Sequence, residues 1–98
     1  MKIVQQAFAG TLESSDVLIR VSPAETQGIM IELNSSVMKQ FGDVIESVVR
    51  ATLTNMGVTD ATVIVDDKGA LDCVLRARVQ AAAMRAANIT DIDWSKLA

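Results

Sequence analysis

The stretch "GTLESSDVLIRVS", residues 10–22, decides the fold because it predicts a β-hairpin with one buried face. Val17, Ile19 and Val21 recur at every second position, which is the side-chain period of a half-buried strand. Two serines stand between two acidic residues just before this strand, where the chain must reverse. We therefore expect two antiparallel strands joined by a tight turn at the serines, with the strand that contains Val17, Ile19 and Val21 as the second of the two.

The register of this hairpin follows from bringing the apolar faces of its strands together. With a two-residue loop, the opposed pairs are Glu13 and Asp16, Leu12 and Val17, Gly10 and Ile19, and Phe8 and Val21. Two-residue loops require positive φ and favour Gly, Asn or Asp, so Ser14 and Ser15 are unusual there. On residue type alone, both serines are ordinary turn residues.

Periodicity extends the prediction along the rest of the chain. A third strand, "GIMIELN", covers residues 28–34, a helix runs from 37 to 56, a fourth strand covers 59–67, and a second helix covers about 70–87. The first helix has the apolar positions Val37, Met38, Phe41, Val44, Ile45, Val48, Val49 and Thr52, and the second has Leu71, Leu75, Val79, Ala82 and Ala86. Caps are expected at Ser35 or Ser36, at Gly57, and at Asp66 or Asp67, and Trp94 is expected to anchor the tail.

The order β-β-β-α-β-α predicts an α+β two-layer sandwich, with an antiparallel sheet of about four strands and both helices on one face. The length of 98 residues suits one domain, residues 1–98. A net charge of −3 and 3% aromatic residues argue against nucleic acid as a partner. Because no apolar run approaches the roughly 18 residues of a membrane span, no membrane partner is expected, and one cysteine without a partner favours the cytoplasm.

The sequence offers little for self-contained catalysis. It has no histidine, and Cys73 is the only cysteine, so the commonest general base and the commonest metal ligands are missing and we expect no metal. Cys73 is expected to be a small packing residue in the second helix. Arg78 falls beside the apolar stripe of that helix, so its stem is expected to pack while its guanidinium reaches a rim or a partner.

Three segments in the same order and spacing resemble the acyl carrier, or gamma, subunit of bacterial citrate lyase. They are "AGTLESSDV" (9–17), "NSSVMKQFGD" (34–43) and "VDDKGALDCVLRARV" (65–79). The resemblance implies a non-catalytic carrier subunit of citrate fermentation, in which Ser14 bears a covalent 2'-(5''-phosphoribosyl)-3'-dephospho-CoA group through a phosphodiester. The thiol of that group holds acetyl and citryl thioesters. The family commonly has glycine where Ser15 stands in this chain, a departure that adds a second hydroxyl beside the target.

The same resemblance implies four protein partners. They are an alpha subunit that acts as acyl transferase, a beta subunit that cleaves the citryl thioester, a transferase that attaches the prosthetic group, and a ligase that acetylates it. We expect Glu13 and Asp16 to be recognised by the prosthetic-group transferase, since like charges flanking a turn are otherwise unfavourable. Arg76 and Arg78 are expected at the interface with the large subunits.

Three alternatives remain open from the sequence. Two are the carrier subunits of citramalate lyase and of malonate decarboxylase, because the serine and the hairpin would serve equally well in them. The third is a small non-catalytic interaction domain whose serine turn is unmodified.

Overall fold

The computed structural model describes residues 1–35 and 38–88, in which the elements follow the predicted order. They are β1 (Ala7–Gly10), β2 (Val17–Ser22), β3 (Ile29–Ser35), α1 (Met38–Asn55), β4 (Ala61–Asp67) and α2 (Asp72–Ala86). The helices pack on each other, α2 also packs on β1 and β2, and α1 packs on β3, which confirms the α+β two-layer arrangement. Neither of these helices is long and apolar enough to cross a membrane. Some predicted positions lie outside the described residues, namely Ser36, Val37 and Trp94, together with the side chains of Met38 and Phe41.

The four strands form one mixed sheet in the order β1-β2-β4-β3. β2 pairs antiparallel with β1 and with β4, as expected, but β3 and β4 pair in parallel, so the prediction of a purely antiparallel sheet is wrong for this pair. The physical reason is that α1 lies between these strands in the sequence. A helical crossover returns the chain to the end of the sheet where the previous strand began, so the next strand runs in the same direction.

The predicted hairpin register is wrong by one residue. Ala9 pairs with Ile19 and Gly10 pairs with Leu18, so Phe8 lies opposite Arg20 rather than Val21. Ala9 therefore faces the core at 3% exposure, and Phe8 faces outward at 47%.

An extra residue on the first side of the turn causes this shift. The turn joins Glu13 and Asp16, but two residues, Thr11 and Leu12, then lie on one side where Val17 alone lies on the other. Such an inequality inverts the faces of one strand relative to the other. Gly10 begins the irregular segment with a φ of +98°.

The core is built as the strand alternation predicts. The inward-facing valines and isoleucine of β2 and β4 have no exposed surface; they are Val17, Ile19, Val21, Val63 and Val65. They belong to one core cluster with buried residues of both helices, namely Val49, Leu53, Leu75 and Val79. Two predicted helix positions are wrong, since Val44 is 51% exposed and Leu71 is 69% exposed. The buried face of α1 includes Leu53, which was not predicted, and excludes Val44. Leu71 lies before the first residue of α2, so it is not part of the helix face that packs on the sheet. Cys73 is also exposed, because it points away from the sheet on the first turn of α2.

The predicted cap at the end of α1 is confirmed. Gly57 has a φ of +84°, and its amide donates to the carbonyl of Thr54 while the amide of Val58 donates to the carbonyl of Leu53. This pair of bonds is the Schellman arrangement that glycine makes accessible at a helix end. Val58 and Ala61, which follow this cap, are both buried in the core.

Asp67 plays a different part from the one predicted. It does not cap α2, which begins after Leu71 without a side-chain cap. Its carboxylate accepts bonds from the amides of Gly69 and Ala70 at 3.2 and 3.0 Å, and from the hydroxyl of Ser35 at 2.9 Å. This buried carboxylate, 2% exposed, therefore shapes the turn between β4 and α2.

Candidate functional site

Residues 13–16, which we call the serine turn, reverse the chain between β1 and β2. The amide of Asp16 donates to the carbonyl of Glu13 at 3.2 Å, so Ser14 and Ser15 occupy the two central positions. Both serines are exposed. Ser15 has a φ of +64°, in the left-handed region that side-chain-bearing residues rarely adopt. Of the two central residues, Ser15 therefore adopts the positive φ expected of this turn, and Ser14 does not.

The serine turn is fastened to the turn between β4 and α2. The amide of Ser15 donates to the carbonyl of Lys68 at 2.8 Å, and the amide of Lys68 donates to the carbonyl of Asp16 at 2.9 Å. These bonds continue the antiparallel pairing of β2 and β4 beyond the last pair, Val17 and Asp67. Ser14 therefore lies at the tip of a braced turn, not on a loose loop.

Asp16 is held by a side chain and a backbone amide of its own hairpin and by a side chain of α2. The Thr11 hydroxyl donates to Oδ2 at 2.7 Å, and the Val17 amide donates to Oδ1 at 2.7 Å. The guanidinium of Arg78 donates from Nε to Oδ1 at 3.2 Å and from Nη2 to Oδ2 at 3.0 Å. The hydrogen bond from Thr11, followed by those from Arg78 and Val17, lowers the pKa of Asp16 to about 2. The carboxylate is consequently charged at neutral pH.

The two acidic residues flanking the serines are not equivalent. Both oxygens of Asp16 are occupied by donors inside the protein, whereas the carboxylate of Glu13 is exposed and has no hydrogen bond within the described part of the chain. The amide of Glu13 donates to the Thr11 hydroxyl at 3.2 Å, which fixes its backbone. Of the pair predicted to be recognised by an enzyme, Glu13 is the one whose charge is available.

The two arginines predicted to lie together are separated by the helix. Two residues along a helix turn by about 200°, so Arg76 and Arg78 point to different sides of α2. Arg78 faces the serine turn through Asp16, while Arg76 is exposed. The structure thus brings Ser14, Asp16 and Arg78 together and leaves Arg76 outside the group.

Two residues of the site were missed by sequence reasoning. Thr11 orients Asp16, and Lys68 supplies the backbone groups that brace the turn. No local pattern indicates either contact, since Lys68 is more than 50 residues from the serines and Thr11 reads as part of a strand. Only the pairing of β2 with β4 places Lys68 there.

The arrangement makes the hydroxyl of Ser14 accessible without activating it. Residues 1–35 and 38–88 contain no group of three or more potential metal-binding side chains. The neighbouring carboxylate of Asp16 is a weak base because its pKa is low and its oxygens are occupied. Ser14 is therefore an accessible hydroxyl beside a fixed and charged carboxylate.

Comparison with known proteins gives consistent matches over the whole fold. Residues 4–86 match the family model of acyl carrier proteins described as malonate decarboxylase delta subunit (MdcD). The chain is 63% identical to citrate lyase acyl carrier protein 2 of Salmonella paratyphi A, over 99% of this chain and 100% of that protein. It is 60% identical to the citrate lyase acyl carrier protein of Klebsiella pneumoniae, with the same coverage.

A solved structure has the same fold. It is a chain in the crystal structure of a Pseudomonas malonate decarboxylase hetero-tetramer in complex with malonate, with a TM-score of 0.67 and 18% identity. The match covers 88% of this chain and 92% of that chain. At this identity the likeness concerns the fold alone.

Proposed function

The chain belongs to the acyl carrier protein family that includes the citrate lyase carriers, and from this premise we propose that it is the acyl carrier subunit of a citrate lyase. The observation that carries the proposal is the serine turn, in which an exposed Ser14 stands at the tip of a turn braced by Lys68 and Asp16. The high identity over the full length of citrate lyase carriers supports the same conclusion.

Ser14 is the proposed attachment site for 2'-(5''-phosphoribosyl)-3'-dephospho-CoA. When attached, this group would supply a thiol that carries an acyl unit as a thioester between partner subunits. The chain itself holds the phosphodiester end of the group at a fixed point on its surface. Tethering confines the thiol to the volume within reach of Ser14, which raises its effective concentration at a nearby active site to about millimolar levels.

The chain is proposed to be a carrier and not a catalyst. Asp16 is a poor base because its pKa is low, and the sequence has no histidine to serve Ser14 as a general base. The exposed hydroxyl instead requires a transferase that brings both the activated group and a base. The lone exposed thiol of Cys73 fits a reducing, cytoplasmic location.

The proposed partners are an acyl-transferring alpha subunit, a citryl-cleaving beta subunit, the prosthetic-group transferase and an acetate-activating ligase. Glu13 is proposed as the charge that the transferase recognises, because its carboxylate is exposed beside Ser14. Arg76 is proposed to contact the large subunits, because its guanidinium is exposed on α2. Replacing Arg76 with Glu should weaken assembly measured by size-exclusion chromatography, and assembly at wild-type affinity would contradict this contact.

Carriers of citramalate lyase and malonate decarboxylase remain the second candidates. Relatives at 60–63% identity are named as citrate lyase carriers, whereas the matching chain of the malonate decarboxylase structure is 18% identical. This difference favours citrate lyase. The distinction can be tested by asking which purified alpha and beta subunits form an active complex with the modified chain.

The first test of the proposal is intact-mass analysis and peptide mapping after co-expression with a citrate lyase prosthetic-group transferase and its activated donor. We expect one adduct of the prosthetic group, located on Ser14. Ser14→Ala should abolish the adduct, and Ser15→Ala is the matched control that should retain it. An adduct on Ser15 would move the site by one residue. No adduct under conditions that modify a known carrier would overturn the proposal in favour of an unmodified interaction domain.

A further inference from the structure

We propose that Arg78 is a positioning residue for modification of Ser14, acting through Asp16 to hold the serine turn in the shape that the transferase requires. This inference rests on the proposed function, since it concerns the attachment of a group to Ser14. It is separate from the expectation that Arg78 contacts a partner subunit, which stays a prediction. Two of the guanidinium's donors engage a carboxylate of the same chain, 62 residues away.

The ion pair between Arg78 and Asp16 is a two-point contact. Nε and Nη2 of the guanidinium reach Oδ1 and Oδ2 respectively, so the planes of the two groups are aligned. Such bidentate pairs fix orientation as well as distance, which a lysine cannot reproduce. The backbone of Arg78 is itself immobilised because its neighbours on α2, Leu75 and Val79, are buried in the core. The core of the domain thereby sets the position of the Asp16 side chain.

Asp16 transmits this position to both sides of the hairpin. Its oxygens accept hydrogen bonds from the Thr11 hydroxyl, on the irregular segment entering the turn, and from the Val17 amide, at the start of β2. The backbone of Asp16 also closes the serine turn by donating to Glu13. The side chain of Asp16 thus connects the two chain segments on either side of the serine turn. Without Arg78, the carboxylate keeps its partners within the hairpin but loses its connection to α2.

Arg78 has a second, electrostatic effect at the same place. The turn carries two acidic side chains, and the transferase must bring an anionic, phosphate-bearing donor to it. The guanidinium offsets the negative charge of Asp16, which lies two residues from the attacked hydroxyl. Without Arg78 this charge would be uncompensated and would repel an anionic donor. Orientation and charge are separable, since lysine retains the charge and loses the two-point geometry.

The test measures steady-state kinetics of arm transfer to Ser14 with purified transferase and activated donor, using intact mass as the readout. We compare wild type with Arg78→Gln, Arg78→Lys and the control Arg50→Gln. Arg50 pairs with Glu46 at 3.3 Å on α1 and donates to the carbonyl of Ile29, so the control removes an arginine–carboxylate pair distant from the turn. If positioning governs the rate, R78Q should lower kcat/KM by about ten- to hundredfold, because misplacing a reacting group by about 1 Å has effects of that size.

Two further readouts separate positioning from unfolding and from partner contact. A misplaced hydroxyl lowers kcat with little change in the KM for the carrier, whereas loss of a direct contact with the transferase raises KM. Amide hydrogen exchange should accelerate at Ser15 and Asp16, whose amides hold the turn, in R78Q and stay at the wild-type rate at Val63 and Val65 in β4. R78K, which keeps the charge, should fall between wild type and R78Q and should retain the protection of β4.

Each result decides the question. The inference holds if R78Q and R78K lose kcat in that order while R50Q matches wild type and β4 remains protected. It is overturned if both Arg78 variants with protected β4 amides are modified at the wild-type rate, or if only KM rises. In those cases Ser14 is still modified in the wild type, and the carrier function stands. Failure of the wild type itself to be modified at Ser14 would overturn the carrier function instead.

Discussion

The hydroxyl of Ser35 at the end of β3 donates to the carboxylate of Asp67 at the end of β4, with 2.9 Å between Oγ and Oδ2. The same carboxylate accepts two amides of the following turn, and the residue after it, Lys68, bonds to the backbone of the serine turn. The serine turn that contains the exposed Ser14 is therefore bonded to a second turn, whose backbone is held by the buried carboxylate of Asp67. Stability at this end of the sheet and geometry at the serine are connected through Asp67.

Replacing Asp67 with Ala should lower the free energy of unfolding by about 2–4 kcal/mol, because it removes a buried acceptor that serves three donors, the Ser35 hydroxyl and the amides of Gly69 and Ala70. Asp67→Asn keeps one carbonyl oxygen in place and should lower it by about half as much. Urea unfolding followed by circular dichroism measures both. Equal stability of D67A and wild type would contradict the structural role of this carboxylate.

Gly10 should tolerate no side chain, and Gly28 provides a matched control. Both have φ near +100°, but a Cβ on Gly10 would lie 1.7 Å from the carbonyl oxygen of Val17, whereas nothing lies within 4 Å of a Cβ on Gly28. Gly28→Ala should lower the free energy of unfolding by about 1 kcal/mol, the strain of the left-handed backbone alone. Gly10→Ala should lower it by about 3 kcal/mol or more, since the hairpin must shift. Chemical denaturation gives both values, and equal values for the two variants would mean that the close contact is absent.

Replacing Ser15 with Gly should stabilise the protein slightly and leave Ser14 available. Ser15 has a φ of +64°, and relief of about 1–2 kcal/mol of left-handed strain outweighs the added entropy of the unfolded chain, about 0.4–1 kcal/mol. The expected gain is about 0.5 kcal/mol. Ser14→Gly, at a position where φ is not positive, should instead destabilise. Thermal melting of both variants tests the contrast, and a lower Tm for S15G than for wild type would contradict it.

The hydrogen bonds that Asp16 accepts from Thr11 and Arg78 should make part of the stability depend on acid pH. The pKa of Asp16 is about 2 in the folded protein against 3.8 for an unperturbed aspartate, so the group contributes stability that is fully present above pH about 4. This contribution is lost as the pH falls toward 2, because the unfolded chain binds the proton first. Between pH 4 and 2, the Tm of wild type should therefore fall more steeply than that of Asp16→Asn. Parallel curves for the two proteins would show that the carboxylate has no such linkage.

The sequence was sufficient for those parts of the fold that depend on local pattern. The alternation of Val17, Ile19 and Val21, and the left-handed Gly57 at the end of α1, follow from residue type and spacing, and the structure has both. The exposed turn at Ser14 was predicted for the same reason. In each case one short segment contains all the information that the feature needs.

The remaining features depend on groups that are distant in sequence. The parallel pairing of β3 with β4 arises from the path of α1, and the outward direction of Phe8 arises from one extra residue near Gly10. The contact of Arg78 with Asp16 spans 62 residues. No periodicity reports such contacts, so the sequence did not predict that Arg78 and Asp16 bind each other, and their proposed roles toward partners stay predictions.

The bracing of the serine turn has a consequence for where catalysis can occur around this carrier. A fixed pivot at one end of a body measuring 32 × 28 × 20 Å leaves the protein itself filling roughly half of the directions in which an attached chain could extend. Excluding half of the sphere about doubles the local concentration of its free end in the remaining half. If Ser14 bears the proposed group, the active sites that share this carrier are expected to lie within a single hemisphere above Ser14. The enzyme complex is then expected to contact that end of the carrier and to leave the opposite end, around Pro23 and Thr59, exposed.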